Sequence, residues 1–362
     1  GRILLQDYRS NEGSPVEHVK AFLSAFYAAY PRARVAGAAA SGYGEELVKN
    51  AFRMDAGIVE TMAHFTAARA FEPDVDFIIH MGDFCYPKGV LGVAPEAKLP
   101  VNLQLSLDDP PIQPGKDALL ARFRTFPKPS YPVLGNHDMD FCSKRDAMEA
   151  YGMASPYYAF HVNGWHFIVL DGNHYRDDAG VLRDYGFAAS YYRDQPYLGP
   201  EQLHWLEEEL GSSPEPAVLF CHQPLYRRNR GLQDLDAFRS VLASARSHGK
   251  QVRLCMNGHL HIDALRVEDG VVYHSLNSIS TFWAGEEYET LRYPPQIDRD
   301  FPNLRYTFPY AKPIFAIVTL TEDELIIRGR RGGFVQPGSR SFTYRPLPTS
   351  CVRSYRLHWP NP

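Results

Sequence analysis

At 362 residues the chain is longer than a minimal domain but fits one large layered domain or one domain with insertions. Its 44% hydrophobic and 22% charged residues exclude bulk disorder. A formal charge of −4 with no long Lys/Arg run excludes the electrostatic footprint of a nucleic-acid binder or of a protein held on an anionic membrane. In chain order, Gly1-Arg2-Ile3-Leu4-Leu5-Gln6 lacks a signal-peptide pattern, so the compartment stays open between a cytoplasmic and an exported mature form. Val19, Phe22, Leu23, Phe26 and Tyr27 recur at helical spacing between Pro15 and Ala29. Val35 to Ala40 reads as a buried strand ending in Ser41-Gly42-Tyr43-Gly44, and a helix presenting Ile58, Met62 and Phe65 on one face is expected after it.

Five short apolar runs then each end in a polar turn. Asp74 to Met81 leads to Gly82-Asp83, Tyr131 to Leu134 to Gly135-Asn136-His137-Asp138, and Trp165 to Leu170 to Asp171-Gly172-Asn173. Ala217 to Phe220 leads to Cys221-His222, and Val252 to Met256 to Asn257-Gly258-His259. Ligands of α/β sheets gather outside the carboxyl ends of strands, so these turns are expected to converge. Helices are expected over Pro200 to Leu210 and Leu235 to His248, and strands over Val271 to His274, Pro313 to Leu320 and Leu325 to Gly329. Gly172 to Leu198 and Phe282 to Lys312 lack periodicity but are rich in aromatics, which points to packed loops lining a substrate; the second is expected to cover the pocket. The cysteine count of five leaves at least one unpaired; Cys85, Cys221 and Cys255 read as packing residues. No apolar run reaches the ~20 residues of a membrane span. Arg227-Arg228-Asn229-Arg230 reads as solvated loop charge, with a phosphate-recruiting rim as the alternative.

Each polar turn is a weak signal alone, since an Asp after a strand is usually a cap and a lone His usually structural. Together, and ending in the His259-Leu260-His261 pair, they have the chemistry of a two-metal site. Asp83 suits a bridging carboxylate, while imidazoles and an amide oxygen add ligands without much negative charge. His137 follows Asn136 directly and can protonate a leaving oxygen, with Asp138 expected to fix its tautomer. Ser41 and Ser278 lack a His-Asp partner pattern, which disfavours a serine nucleophile.

The set Gly82-Asp83, Gly135-Asn136-His137-Asp138, His222 and Gly258-His259-Leu260-His261 resembles the calcineurin-like metallophosphoesterase superfamily, purple acid phosphatases and cyclic-nucleotide phosphodiesterases included. The resemblance covers roughly Val35 to Leu320. It implies an α+β fold, a four-layer αββα sandwich of two mixed sheets face to face with flanking helices. A domain over 33–345 would follow a helical extension at 1–32 and precede a C-terminal tail at 346–362. It further implies that Asp83 bridges two ions, that Asn136, His222 and His259 complete one, and that His261 serves the other. His137 and Asp138 become the catalytic pair, and Asn136, His137 and His222 the substrate contacts. The implied cofactors are two divalent or mixed-valence ions (Mn, Fe, Zn or Mg). The implied activity is hydrolysis of a small-molecule phosphate mono- or diester by a hydroxide held on metal, without nucleic acid or membrane as partner and with oligomeric state open.

One motif departs. The superfamily opens with Asp-x-His, or Asp-x-Gly in purple acid phosphatases, where this chain has Ala40 and Gly42. The first metal position is therefore expected to be the weaker, and a phosphatase-fold protein with an impaired site is the alternative reading. Three substitutes are weighed. Asp7 lies far upstream, Asp55 in Asp55-Ala56-Gly57 reads as a helix start, and Tyr86 fits the Gly-Asp-x-x-Tyr pattern of a tyrosinate ligand or a packed core tyrosine. His166, His174 and His274 read as strand or loop histidines, with His174 a candidate pocket-lining residue, and Asn277 as a residue near the site.

Overall fold

The computed structural model describes residues 5, 15–36, 38–41, 51–53, 56–58, 75–84, 128–140, 142–187, 189–191, 193–285, 288–291, 295, 302–335 and 349–360. The chain forms two compact units, Gly1–Pro73 with Ala284–Thr307, and Asp74–Trp283 with Phe308–Pro362. The first holds helix α1 (Pro15–Ala29), whose leading proline suits a helix start, and the parallel strands β1 (Ala39–Ser41) and β2 (Ala56–Ile58). Ile58 thus lies in a strand, where a helix was expected from its spacing with Met62 and Phe65. Three residues of β2 are too few for a period to show in sequence.

The second unit opens with the parallel pair β3 (Ile78–His80) and β4 (Ser130–Pro132), followed by helix α2 (Lys144–Tyr151). Strands β5 (Tyr158–Val162) and β6 (Trp165–Leu170) form an antiparallel hairpin around Asn163-Gly164, both of which adopt positive φ. A short hairpin, β7 (His174–Arg176) with β8 (Leu182–Asp184), occupies part of the stretch that lacked periodicity. Then come helix α3 (Pro200–Gly211), strand β9 (Ala217–Cys221), helix α4 (Leu235–Ser247) and strands β10 (Val252–Asn257), β11 (Ala264–Glu268) and β12 (Val271–Ser275). Short strands β13 (Thr281–Trp283) and β14 (Thr307–Pro309) precede β15 (Ala316–Leu320), β16 (Glu324–Gly329) and β17 (Tyr355–His358). Strand β17 falls in the stretch expected as a C-terminal tail and pairs antiparallel with β16.

The main sheet is six-stranded and mixed, in the order β11-β12-β10-β9-β6-β5. Its four inner strands run parallel and the edge strands antiparallel. Helices α3 and α4 make the crossovers that parallel neighbours require. Alternation along β6 separates two cores. Ile168 and Leu170 join Leu206, Leu210 and Phe238 of the helices, whereas Phe167 and Val169 join Leu325 and Ile327 of a second, three-stranded sheet in the order β15-β16-β17, together with Trp359 just after β17. Helices on one face and a sheet on the other make this an α+β sandwich. All the inner strands point their carboxyl ends the same way, which gathers Asp171, His222 and Gly258 just beyond one edge.

Candidate metal centre

Two glycine turns bring the strand ends together. Gly82 has φ +87°, and a Cβ there would lie 2.4 Å from His222 Nδ1 and 2.8 Å from Gly135 Cα. A Cβ on Gly135 would lie 2.2 Å from Asp83 Oδ1. Only glycine permits the β3 and β4 turns to press this closely. Asp83, His259 and His261 take left-handed φ of 53°, 59° and 52°. Each costs a non-glycine residue about 1–2 kcal/mol, and such strain persists where the surroundings fix it and the geometry has a use.

The structure gathers Asp83, Asn136, His222 and His259. His222 Nε2 lies 3.0 Å from Asp83 Oδ2, 3.1 Å from Asn136 Oδ1 and 3.2 Å from His259 Nδ1, and His259 Nδ1 is 3.0 Å from Asn136 Oδ1. His222 Nδ1 sits 2.6 Å from the Met81 carbonyl, which can only accept, so this nitrogen carries a proton. Burial opposes a second proton on Nε2 while Asp83 favours it and raises the ring above its ordinary value, and a metal ion would displace that proton to take the Nε2 lone pair. Lone pairs on an imidazole, a carboxylate and an amide oxygen then face one another across about 3 Å. That arrangement repels unless a cation or a shared proton sits among them. The spacings match adjacent ligands around an ion with bonds of about 2 Å, and the donor set of one carboxylate, one amide oxygen and two imidazoles suits Zn, Fe or Mn. His261 stands outside this mutually close group but feels the Asp83 charge. Tyr86, Asp7, Asp55 and Gly42 lie outside the described residues.

Charge is distributed accordingly. Burial works against the Asp83 carboxylate, yet the neighbouring His222 and His137 hold it well below the usual carboxylate range. Burial keeps His261 neutral, pushed down to about 4, and burial with the adjacent His222 keeps His259 well below its ordinary value. Burial also opposes protonation of His137, but the carboxylates of Asp140 and Asp83 outweigh it and raise the ring to about 10.

The partner that orients His137 differs from expectation. His137 Nδ1 lies 2.9 Å from Asp140 Oδ2, so Asp140 takes the place foreseen for Asp138. Asp138 is fully buried and its oxygens accept from the backbone amides of Asp83, Phe84 and Gly135 and from the Tyr151 hydroxyl, at 3.1, 3.0, 2.8 and 2.7 Å. It braces the two turns instead of the ring. The reason is local: Asn136–Met139 is a 3-10 turn, which sends residues three apart to the same side and so pairs His137 with Asp140. Deeper still, Asn173 Nδ2 donates to the Leu134 carbonyl and Gln223 Nε2 donates to Asn173 Oδ1, tying three strand ends together.

The three further histidines singled out in the sequence have partners within the fold. His166 lies 2.9 Å from Glu209, and His274 lies 3.2 Å from Asp263. His174 contacts the Tyr197 carbonyl and lies near Asp184, which together with buried Asp171 clamps the buried Lys144. Asn277 accepts from Tyr310 and donates to the Thr349 carbonyl. Cys221, Cys255 and Cys351 are free thiols, and Arg228 is paired with Asp236. Of the aromatic segment expected over the pocket, Ala284–Thr307 belongs to the first unit.

The family model of the calcineurin-like phosphoesterases matches residues 55–263, more than half of the chain. The chain belongs to this family. The chain is 29% identical over 139 residues to a probable cyclic nucleotide phosphodiesterase of Synechococcus, a match covering 37% of this chain and 46% of that protein. It thus spans about half the length of this curated relative. Among solved structures it resembles a dimetal phosphatase from Danio rerio, with a TM-score of 0.48, 16% identity and coverage of 82% of this chain and 88% of the other. GAP50 of Plasmodium, described as an anchor in the inner membrane complex, aligns with a TM-score of 0.44, 13% identity and coverage of 89% and 88%. No helix among the described residues is long and apolar enough to cross a membrane.

Proposed function

We propose that the protein hydrolyses a small-molecule phosphate mono- or diester at a dinuclear metal site. Asn136, His222 and His259 would hold one ion and His261 the other, with Asp83 a ligand available to both. The observation that supports this reading most is the position of His222 Nε2, on a ring whose Nδ1 is held by the Met81 carbonyl, with three further donor atoms within 3.2 Å. Ions bound there supply Lewis acidity toward a phosphoryl oxygen and toward water.

The chain's own residues do the rest. Asp83 is held ionised by its histidine neighbours and accepts from the His137 amide at 2.9 Å, which fixes the carboxylate. His137 keeps Nδ1 on Asp140, so Nε2 is the ring atom that hands a proton to the leaving oxygen. Asp138 and Tyr151 hold the turns on which Asp83 and Asn136 ride. The name of the Synechococcus relative makes cyclic phosphodiesters a class to include among candidate substrates.

A reading as an impaired, ligand-binding phosphatase fold has one observation behind it. The family match begins at residue 55, after strand β1 (Ala39–Ser41). The His137–Asp140 pair favours turnover, because a ring held protonated beside the donor cluster has no evident use in binding metal alone. Protein purified without chelator and assayed with added Mn, Fe, Zn or Mg against aryl monoesters, alkyl monoesters and cyclic diesters separates the two. Hydrolysis that rises with bound metal supports the enzyme; stoichiometric metal with no hydrolysis of any ester supports the rival.

A further inference from the structure

The His259-Leu260-His261 turn is strained at both histidines, and its two ends are held differently. At the upstream end Gly258 N donates to the His222 carbonyl at 3.1 Å and Leu276 N to the Asn257 carbonyl at 2.7 Å, so His259 is fixed from within the sheet. At the downstream end the anchor is Asp263, whose side chain is only 1% exposed. Arg353 donates to Asp263 Oδ2 from its backbone amide at 3.0 Å and from Nε at 2.7 Å, and its Nη2 donates to the Asp263 carbonyl at 2.9 Å. His274 Nε2 lies 3.2 Å from Asp263 Oδ1, and the Tyr355 hydroxyl lies 3.5 Å from Oδ2. A guanidinium that grips both the carboxylate and the main chain of one residue fixes its position as well as its charge.

The anchor is itself pinned. Val352 N donates to the Arg330 carbonyl, Gly332 N to the Ser350 carbonyl, and Asn277 Nδ2 to the Thr349 carbonyl, so residues 349–353 are tied to β16 and to the turn after β12. Asp263 is separated from His261 by Ile262 alone, and the β11 ladder begins at the next residue, Ala264. Force applied at Asp263 therefore reaches His261 before it reaches His259.

We propose that Arg353 and Asp263 form a positioning pair that sets His261, so that the C-terminal segment governs the second metal position. The inference rests on the dinuclear reading given above, but its structural half does not. Arg353 touches neither metal nor substrate; it acts through Asp263 on the turn. Partners that orient a ligand from behind typically change metal affinity about 10–100-fold when removed. The change here should fall on one ion only, because the other is held by Asp83, Asn136, His222 and His259.

The test uses the full chain with Arg353→Ala; the Arg353 side chain is 58% exposed, and the buried Asp263 carboxylate keeps His274 and the backbone amide of residue 353 as partners. Amide hydrogen exchange in metal-free protein should quicken across 258–263 and stay unchanged in β9. Stepwise Mn titration should show the tighter ion unmoved and the weaker one loosened by about tenfold or more. Arg353→Lys keeps the charge but loses the fork and should recover part of both effects. Unchanged exchange at 258–263, or equal loosening of both ions, overturns the proposal. Native protein that binds a single ion overturns the dinuclear reading, while the exchange result still decides the positioning role.

Discussion

Replacing Asp140 by Asn removes the charge that lies 2.9 Å from His137 Nδ1 while keeping the volume of a fully buried side chain. In the native protein burial lowers the His137 pKa, but Asp140 and then Asp83 overcome it and raise the ring to about 10. A hydrogen bond to a charged group contributes about 1.5–3 kcal/mol, and one pKa unit corresponds to about 1.36 kcal/mol. The substitution should therefore lower the His137 pKa by about 1–2 units. An acid works only while protonated, so activity is lost as pH rises through its pKa, and the alkaline limb of kcat/KM should move to lower pH by that amount. Cations held by Asp83 and Asn136 draw the limb down in both proteins, and the difference between the two is what the assay reads. The profile should be measured at saturating metal with an ester whose leaving group needs protonation. An alkaline limb that stays in place, or a uniform loss at every pH, would refute the assignment of His137 as the acid oriented by Asp140.

His137→Asn should keep metal stoichiometry and slow alkyl esters far more than activated aryl phosphates, as only the former need a proton in the transition state; equal losses on both would contradict the role. Tyr151→Phe removes one donor to the buried Asp138 and should cost about 1.5–3 kcal/mol in urea unfolding, together with slower turnover at saturating metal. Lys144→Met strands the buried Asp171 carboxylate and should cost about 3–5 kcal/mol at pH 7. Burial opposes the Asp171 charge, but Lys144 holds its pKa below the ordinary value. The pair's stabilisation is then present above the unfolded carboxylate pKa of about 3.9 and fades as pH falls through the lower folded value, so the gap between variant and native should close on acidification.

Much of the site was legible because its residues sit at the ends of apolar runs. Trp165–Leu170 and Val252–Asn257 are buried nearly throughout, and a run of that kind reads as an inner parallel strand wherever it occurs. The five turns that follow such runs were identifiable, and the structure brings side chains of three of them within 3.2 Å of His222 Nε2 from a fourth. What escaped was set by backbone geometry. Asp140 is paired with His137 by a 3-10 turn, and nothing in Asn136-His137-Asp138 announces that period. Met81 acts through its carbonyl, which any residue could supply. Asp263 and Arg353 are 90 residues apart, and no local pattern links a carboxylate in one loop to a guanidinium before a terminal strand. Strand β17 itself was hidden because Tyr355–His358 alternates half-buried and exposed residues over only four positions.

The central claim is that Asp83 Oδ2, Asn136 Oδ1, His222 Nε2 and His259 Nδ1 surround a cation. An anomalous difference map from crystals of the full chain soaked in Mn tests it most directly. The strongest peak should fall among these four atoms and a weaker one on the His261 side of Asp83. Ester hydrolysis in protein whose map shows no peak among the four atoms would contradict it.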